Sequence, residues 1–209
     1  MDDLFQTTRP EVEHFADGVT VLSNFVDTDS LLSALAELTA VSPFRHMSTP
    51  GGKRINVAVT NCGKLGWVSD ARGYRYQALD PQSNKPWPAM PALWRATAVR
   101  AAELAGYDHY SPNACLINRY LPGNRMTAHQ DKNERDFSQP VVTISTGLPT
   151  RFLVYGDTRG GKPLAIPVYD GDVIVMGGAS RMAFHGVREI DRPADDPRPH
   201  RISLTFRDA

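Results

Sequence analysis

Arg201-Ile202-Ser203-Leu204-Thr205-Phe206-Arg207 alternates polar and apolar residues without a break. Successive side chains of an extended chain point to opposite faces, so Arg201, Ser203, Thr205 and Arg207 share one face of a closing strand. Two readings of that face are open. Arginines on an edge strand discourage sheet-to-sheet association, and two arginines on one face can also hold a dicarboxylate. Upstream, short runs of similar character recur at Cys115 to Tyr120, Val141 to Thr146, Arg151 to Tyr155, Leu164 to Val168 and Asp172 to Met176. Such a series, punctuated by 16 Gly and 16 Pro in 209 residues, predicts a jelly roll.

The earlier part of the chain carries helical patterns, which makes the whole α+β, mainly β. Asp27 or Thr28 can cap a helix whose Leu31, Leu32, Leu35 and Leu38 form one apolar stripe. A second, Ala-rich helix is expected to begin near Pro91 and to end before Gly106, which can take the left-handed stop conformation. Arg192 to Pro199, rich in Pro and Asp, reads as an exposed loop. No internal repeat or second domain is evident, and a chain of this length can build one substantial core.

Chemistry enters at His129-Gln130-Asp131. Residues i and i+2 of a strand face the same way, so His129 and Asp131 can grip one metal ion if His185 reaches them from a neighbouring strand. Asp172-Val173-Ile174-Val175-Met176 reads as a buried strand and Gly177-Gly178-Ala179-Ser180 as the turn that precedes Phe184-His185. Two histidines and one carboxylate leave half of an octahedral iron open. On ligands alone a zinc hydrolase is also possible, and a lone His-x-Asp pair is as readily a polar strand end.

Asn118-Arg119-Tyr120, His129-Gln130-Asp131-Lys132, His185-Gly186 and Arg201 to Arg207 resemble, in order and spacing, the AlkB family of Fe(II)/2-oxoglutarate dioxygenases. The likeness extends upstream through Thr60-Asn61-Cys62-Gly63, Leu65-Gly66-Trp67 and Asn84-Lys85-Pro86-Trp87-Pro88, and covers nearly all of the chain beyond the first forty residues. It implies a double-stranded β-helix core over 113–209, N-terminal helices, and a nucleotide-recognition lid over 45–90 within a single domain of 1–209. It further implies Fe(II) on His129, Asp131 and His185, with 2-oxoglutarate and O2 as co-substrates. Arg201 would pair with the C5 carboxylate and Arg207 lie near the C1 carboxylate, with Asn118, Tyr120 and Ser203 beside the co-substrate. The family demethylates 1-methyladenine and 3-methylcytosine in single- or double-stranded DNA, and also acts on RNA, yielding succinate, CO2 and formaldehyde. Trp67 matches its stacking residue. Tyr74, Tyr76, Met126 and Arg159 fall where it lines the base pocket, and Thr49, Arg125, Gln130 and Lys132 where it holds backbone phosphates. Asn133 stands where the family enzyme has an Asp, so a shifted lesion preference is expected; Ser203 replaces an Asn, which leaves space for a water.

Each substrate residue has a plainer alternative: Met126 as core, Lys132 as a solvated charge. The formal net charge of zero argues against a protein that coats nucleic acid over its whole surface. From Arg45 to Lys85, however, seven basic residues face only Asp70 and Asp80, interleaved with Trp67, Tyr74 and Tyr76. Such a segment can contact phosphates and stack on bases. No apolar run is long enough to span a membrane and Met1-Asp2-Asp3 is acidic, so a soluble, cytoplasmic, monomeric protein is expected. Cys62 and Cys115 form neither a disulfide framework nor a zinc pattern. Two other functions remain open from the residues: an oxygenase acting on a protein or small molecule, and a barrel that binds damaged nucleic acid without turnover.

Overall fold

The computed structural model describes residues 9–209, so the acidic Met1-Asp2-Asp3 start lies outside the described residues. In chain order the strands are Val12–Ala16 (β1), Val19–Leu22 (β2), Ala58–Gly63 (β3), Gly66–Asp70 (β4), Gly73–Gln77 (β5), Ala114–Tyr120 (β6), Met126–His129 (β7), Val141–Gly147 (β8), Thr150–Gly156 (β9), Leu164–Val168 (β10), Val173–Met176 (β11), Phe184–Val187 (β12) and Arg201–Arg207 (β13). Helices Thr28–Val41 (α1) and Ala92–Leu104 (α2) interrupt them. Seven strands form one sheet in the order β1-β2-β11-β8-β13-β6-β3, and four form a second in the order β10-β9-β12-β7. Two facing sheets of this kind are the jelly roll that the strand spacing predicts.

The Arg201–Arg207 strand is central, paired to β8 on one side and β6 on the other, and every residue in it is buried. That excludes the solvated-edge reading of its arginines. Ile202, Leu204 and Phe206 pack under the helices with Trp94, Ala98 and Leu31. Arg201, Ser203, Thr205 and Arg207 point the other way, into the space between the sheets. The alternation therefore separates an apolar core from a polar cavity, and neither face meets bulk water. β11 follows the same rule: Val173 and Val175 join the core under the helices, while Ile174 and Met176 join the core between the sheets.

In α1, the Asp27 carboxylate caps the helix by accepting from the Asp29 N–H at 3.2 Å and the Ser30 hydroxyl at 2.8 Å. Leu31, Leu35 and Leu38 are buried at i, i+4 and i+7, each contributing about 1.5–3 kcal/mol. Leu32, expected in the same stripe, is 40% exposed, because one residue on from Leu31 rotates it about 100° off the buried face. In α2, Pro91 sits just before the first turn rather than inside it, and Trp94, Ala98, Ala101 and Ala102 face the sheet. Gly106 ends it at φ +88°, as expected.

The expected lid segment 45–90 is divided. Its Ala58–Gly63 portion is a strand of the large sheet, paired to β6, while β4 and β5 form a separate two-stranded hairpin over the cavity. Part of its charge is spent internally. Arg45 makes two bonds to Asp80, at 2.6 and 2.8 Å, and Arg75 two to Asp70, at 2.8 and 2.9 Å. Lys53, Arg54, Lys64 and Lys85 enter no ion pair among the described residues, so the segment stays cationic toward a partner.

Candidate active site

His129 ends β7, and His185 is its direct cross-strand partner in β12. Their rings lie 4.4 Å apart. Gly186 allows this register, since a Cβ there would come within 2.5 Å of the Met126 carbonyl oxygen. Asp131 is not on the strand as expected; it lies two residues past its end, where the chain turns back toward the pair. Its carboxylate oxygens approach His129 Nε2 and His185 Nε2 at 3.8 Å each, and the three donor groups lie within 4.8 Å of one another. One ion with bonds of about 2 Å can bridge that span after small side-chain shifts.

The tautomers suit a metal. His129 Nδ1 lies 3.0 Å from the Thr127 carbonyl and His185 Nδ1 3.0 Å from the Ala183 carbonyl. A carbonyl only accepts, so each ring carries its proton on Nδ1 and turns the Nε2 lone pair toward Asp131. Burial, then the neighbouring His129, lowers the His185 pKa to about 4, so it is neutral at physiological pH. Burial alone would raise the Asp131 carboxyl, but Arg207, then His185 and His129, hold it well below the usual carboxylate range.

Around Asp131 lies a network that no local sequence pattern announces. Arg207 Nε and Nη2 donate to Asp131 Oδ2 at 3.1 and 2.7 Å. Arg181 Nη1 donates to the Asp131 backbone carbonyl at 2.9 Å. Between the two arginines sits Glu134, nearly fully buried, 3.3 Å from Arg181 Nη2 and 3.3 Å from Arg207 Nε. Glu134 Oε1 also accepts from the Tyr76 hydroxyl at 2.7 Å, which ties the β4–β5 hairpin to the metal carboxylate. Within Lys132-Asn133-Glu134-Arg135-Asp136, Glu134 reads as one more solvated charge, and Arg181 as part of a turn. Only the fold buries them together.

One cavity of about 570 Å³, within the range of small-ligand sites, gathers the three metal donors and most of the other predicted residues. Arg201 and Ser203 face Tyr120 and Asn118 across the β13–β6 ladder, and Asn118 Nδ2 donates to Ser203 Oγ at 3.4 Å. Arg201 is 1% exposed, and its Nε and Nη1 have no hydrogen-bond partner among the described residues. Arg207 and Arg181 are matched by Asp131 and Glu134; Arg201 is the surplus cation. Burial lowers its pKa, since nothing anionic offsets the lost hydration. Two neutral imidazoles and a carboxylate for a divalent ion, with an unsatisfied buried guanidinium beside them, fit Fe(II) and a dicarboxylic co-substrate.

Trp67 and Tyr74 stack at the mouth, centroids 5.7 Å apart and planes 19° from parallel, with Tyr76 beside them. Thr49, Met126, Gln130, Lys132, Asn133 and Arg159 also line the cavity. Met126 serves the core as well. Gln130 spends its amide nitrogen on the Met182 carbonyl at 2.7 Å, and Arg159 Nε donates to the Ala128 carbonyl at 3.0 Å. Arg125 is not in this cavity; it lines a neighbouring groove. Cys62 and Cys115 are free, buried cross-strand partners on the helix side of the large sheet, remote from the cavity.

Residues 18–207 match the sequence profile of the 2OG-Fe(II) oxygenase superfamily. The chain is 43% identical over 213 residues, covering all of it and 98% of the relative, to the alpha-ketoglutarate-dependent dioxygenase AlkB of Escherichia coli. This chain belongs to the AlkB family. It is an Fe(II)/2-oxoglutarate-dependent dioxygenase, with the His-x-Asp and distal His donors of that family in place. A more distant relative, the tRNA demethylase abh1 of Schizosaccharomyces pombe, is 32% identical over 128 residues, 61% of this chain and 42% of that one. Among solved structures, OsALKBH1 superposes with a TM-score of 0.82 over 95% of this chain and all of that one, at 26% identity. No helix among the described residues of this AlkB-family chain is long and apolar enough to cross a membrane.

Proposed function

We propose that the protein demethylates N-alkylated bases, 1-methyladenine and 3-methylcytosine, in DNA and also in RNA, as a direct-reversal repair enzyme. The observation that carries this reading is the aromatic hairpin: Trp67, Tyr74 and Tyr76 stand across one cavity from His129, Asp131 and His185. An oxygenase for small molecules has no need of a stacking wall at the mouth. A methylated pairing edge weakens base pairing, so such a base is cheaper to extrude and can be held flat against an aromatic ring.

In this reading His129, Asp131 and His185 hold Fe(II), which with 2-oxoglutarate and O2 supplies hydroxylation of the N-methyl carbon, with succinate and CO2 released. The chain does the rest. Arg201 takes the C5 carboxylate on its guanidinium, whose Nη1 is unsatisfied among the described residues, in a site where the Tyr120 ring covers one face. Asn118 and Ser203 offer further hydrogen bonds to the co-substrate. Arg207 fixes Asp131 first, and its position beside the metal donors puts its charge near the C1 carboxylate. The hairpin and Met126 orient the base so that its methyl group faces the open side of the metal site. Thr49, Lys132 and Arg125 meet phosphates around the mouth, Asn133 accepts from the base edge, and the hydroxymethyl product loses formaldehyde to restore the base. A cytoplasmic location agrees with the need for Fe(II) and 2-oxoglutarate.

The test is incubation with Fe(II), ascorbate and 2-oxoglutarate, following succinate and formaldehyde with and without an oligonucleotide carrying 3-methylcytosine or 1-methyladenine. Lesion-dependent release of both is expected. Succinate formation indifferent to the lesion would move the substrate to a protein or small molecule.

A further inference from the structure

Beside the metal cavity lies a second concavity of about 690 Å³, and the two share Met126, Thr127, Arg159 and Val187 as walls. It is therefore a groove that starts where the mouth of the cavity ends. Three arginines reach it from three separate segments: Arg125 from the turn before β7, Arg159 from the loop between β9 and β10, and Arg188 just after β12. All three are exposed. Glu189 is the one acidic residue in its wall. Leu153 and Tyr155 supply its apolar side, and strand alternation puts Arg151 on their face of β9.

The fold does not require this charge. Arg125 and Arg188 enter no ion pair among the described residues, and Arg159 uses only Nε, on a backbone carbonyl. Arginines that flank a half-buried tyrosine in a shallow groove match the two faces of a single strand: phosphates for the guanidinium groups and a base plane for the ring. A flat protein surface would find no such alternation useful, and a duplex would offer no free base to Tyr155.

We propose that this groove carries the unpaired nucleotides flanking the lesion on the same strand, with Arg125, Arg159 and Arg188 on phosphates and Tyr155 under a base. The proposal rests on a nucleic-acid substrate and gives that substrate a minimum length. A lesion in a short fragment fills the cavity alone, whereas a longer strand gains the groove.

The experiment uses Arg188→Glu and Tyr155→Ala, neither of which lines the metal cavity. Binding of a fluorescein-labelled, lesion-free 15-nucleotide single strand, and of the same strand as a duplex, is followed by anisotropy across a salt series. Formaldehyde release from a 3-methylcytosine trinucleotide is measured in parallel. Each variant is expected to weaken 15-mer binding about tenfold, and Arg188→Glu to reduce the log–log salt slope by about 0.7 or more. Trinucleotide turnover stays at the wild-type value. Unchanged 15-mer affinity in both variants overturns the proposal. So does a loss seen only with duplex, which would assign the groove to the opposite strand, or an equal loss on the trinucleotide, which would mean a disturbed cavity. Should the wild type bind the 15-mer with Arg188-sensitive affinity yet release no formaldehyde, the groove stands and the demethylase reading falls. The reverse pattern separates them the other way.

Discussion

Replacing Arg201 by Met separates the needs of folding from those of the reaction. Arg201 is 1% exposed, its Nε and Nη1 are unsatisfied, and the nearby charges are already matched among themselves. A buried guanidinium without an anion destabilises the co-substrate-free fold, and a Met of similar length fills the space without the lost hydration. Substitutions of buried charge by apolar residues stabilise by about 1–4 kcal/mol. For a chain of this size that is a rise of about 2–16 °C in Tm, at about 2–4 °C per kcal/mol. Co-substrate binding moves the other way. Two charge-assisted hydrogen bonds at about 1.5–3 kcal/mol each weaken 2-oxoglutarate by roughly 10² to 10⁴. The assay is calorimetric melting, first in EDTA and then with Mn(II), which keeps the site loaded without turnover, plus 2-oxoglutarate. At a hundred times its Kd the co-substrate should stabilise the wild type by about 2.7 kcal/mol, and Arg201→Met by no more than about 0.4 kcal/mol. A variant that melts below the wild type in EDTA would show that the guanidinium has an internal anion after all. One that keeps the 2-oxoglutarate shift would remove Arg201 from co-substrate binding.

Four further outcomes are expected. His129→Ala abolishes 2-oxoglutarate-dependent succinate formation and Co(II) binding, read from its visible absorption, yet leaves the EDTA melt nearly unchanged, because the ring is a third exposed; full activity in this variant would sink the metal assignment. Trp67→Ala raises KM for a lesion-bearing oligonucleotide by about 5- to 150-fold, the worth of one stacked base, while lesion-free succinate formation persists; an unchanged KM would end the stacking hypothesis. Tyr76→Phe removes the hydrogen bond to Glu134 and, at about 1.5 kcal/mol for a charged acceptor, speeds amide exchange in Gly66–Gln77 about tenfold; exchange at the wild-type rate would mean that the hairpin is held by other contacts. Asn133→Asp restores a charge at the cavity mouth and shifts relative kcat/KM several-fold toward cationic 1-methyladenine over neutral 1-methylguanine; no change in that ratio would place Asn133 away from the base.

What was legible in the sequence follows the physics of each element. Strands that alternate, such as Arg201–Arg207, or that are apolar throughout, such as Val173–Met176, were found within a residue of their ends. β1 and β2 near the N-terminus, β3, and the β4–β5 hairpin were not read as strands. Ala58–Gly63 contains Thr60, Asn61 and Gly63 and looks like a loop. Its Asn61, however, spends its amide on the Trp67 backbone in both directions, so its polarity is consumed by the turn into the hairpin. Asp131 lies in the donor cluster with His129 and His185 but past the end of the strand, because a period of two fits an extended loop as well as a strand. Glu134 and Arg181 were invisible for a related reason. Local sequence shows that a residue is charged, but the depth at which the charge is held depends on contacts 47 residues apart.

The placement of those charges explains how one cavity can be both rigid and open to exchange. The donors for the metal and the co-substrate come from β7 and the two residues after it, from β12, and from the central strand β13, whose backbone is paired on both sides. The aromatic wall, in contrast, stands on a two-stranded ribbon with no ladder to either sheet, the kind of element that is marginal on its own. Its tie to the centre runs through a single phenol onto Glu134, and Glu134 is held by the same two arginines that hold Asp131. Lifting the Tyr76 end of the hairpin costs that one hydrogen bond and leaves Glu134 paired, while the Asn61 amide on the Trp67 backbone and the buried Val68 keep β4 against the large sheet. The carboxylate that grips the metal does not have to move when substrate enters or product leaves.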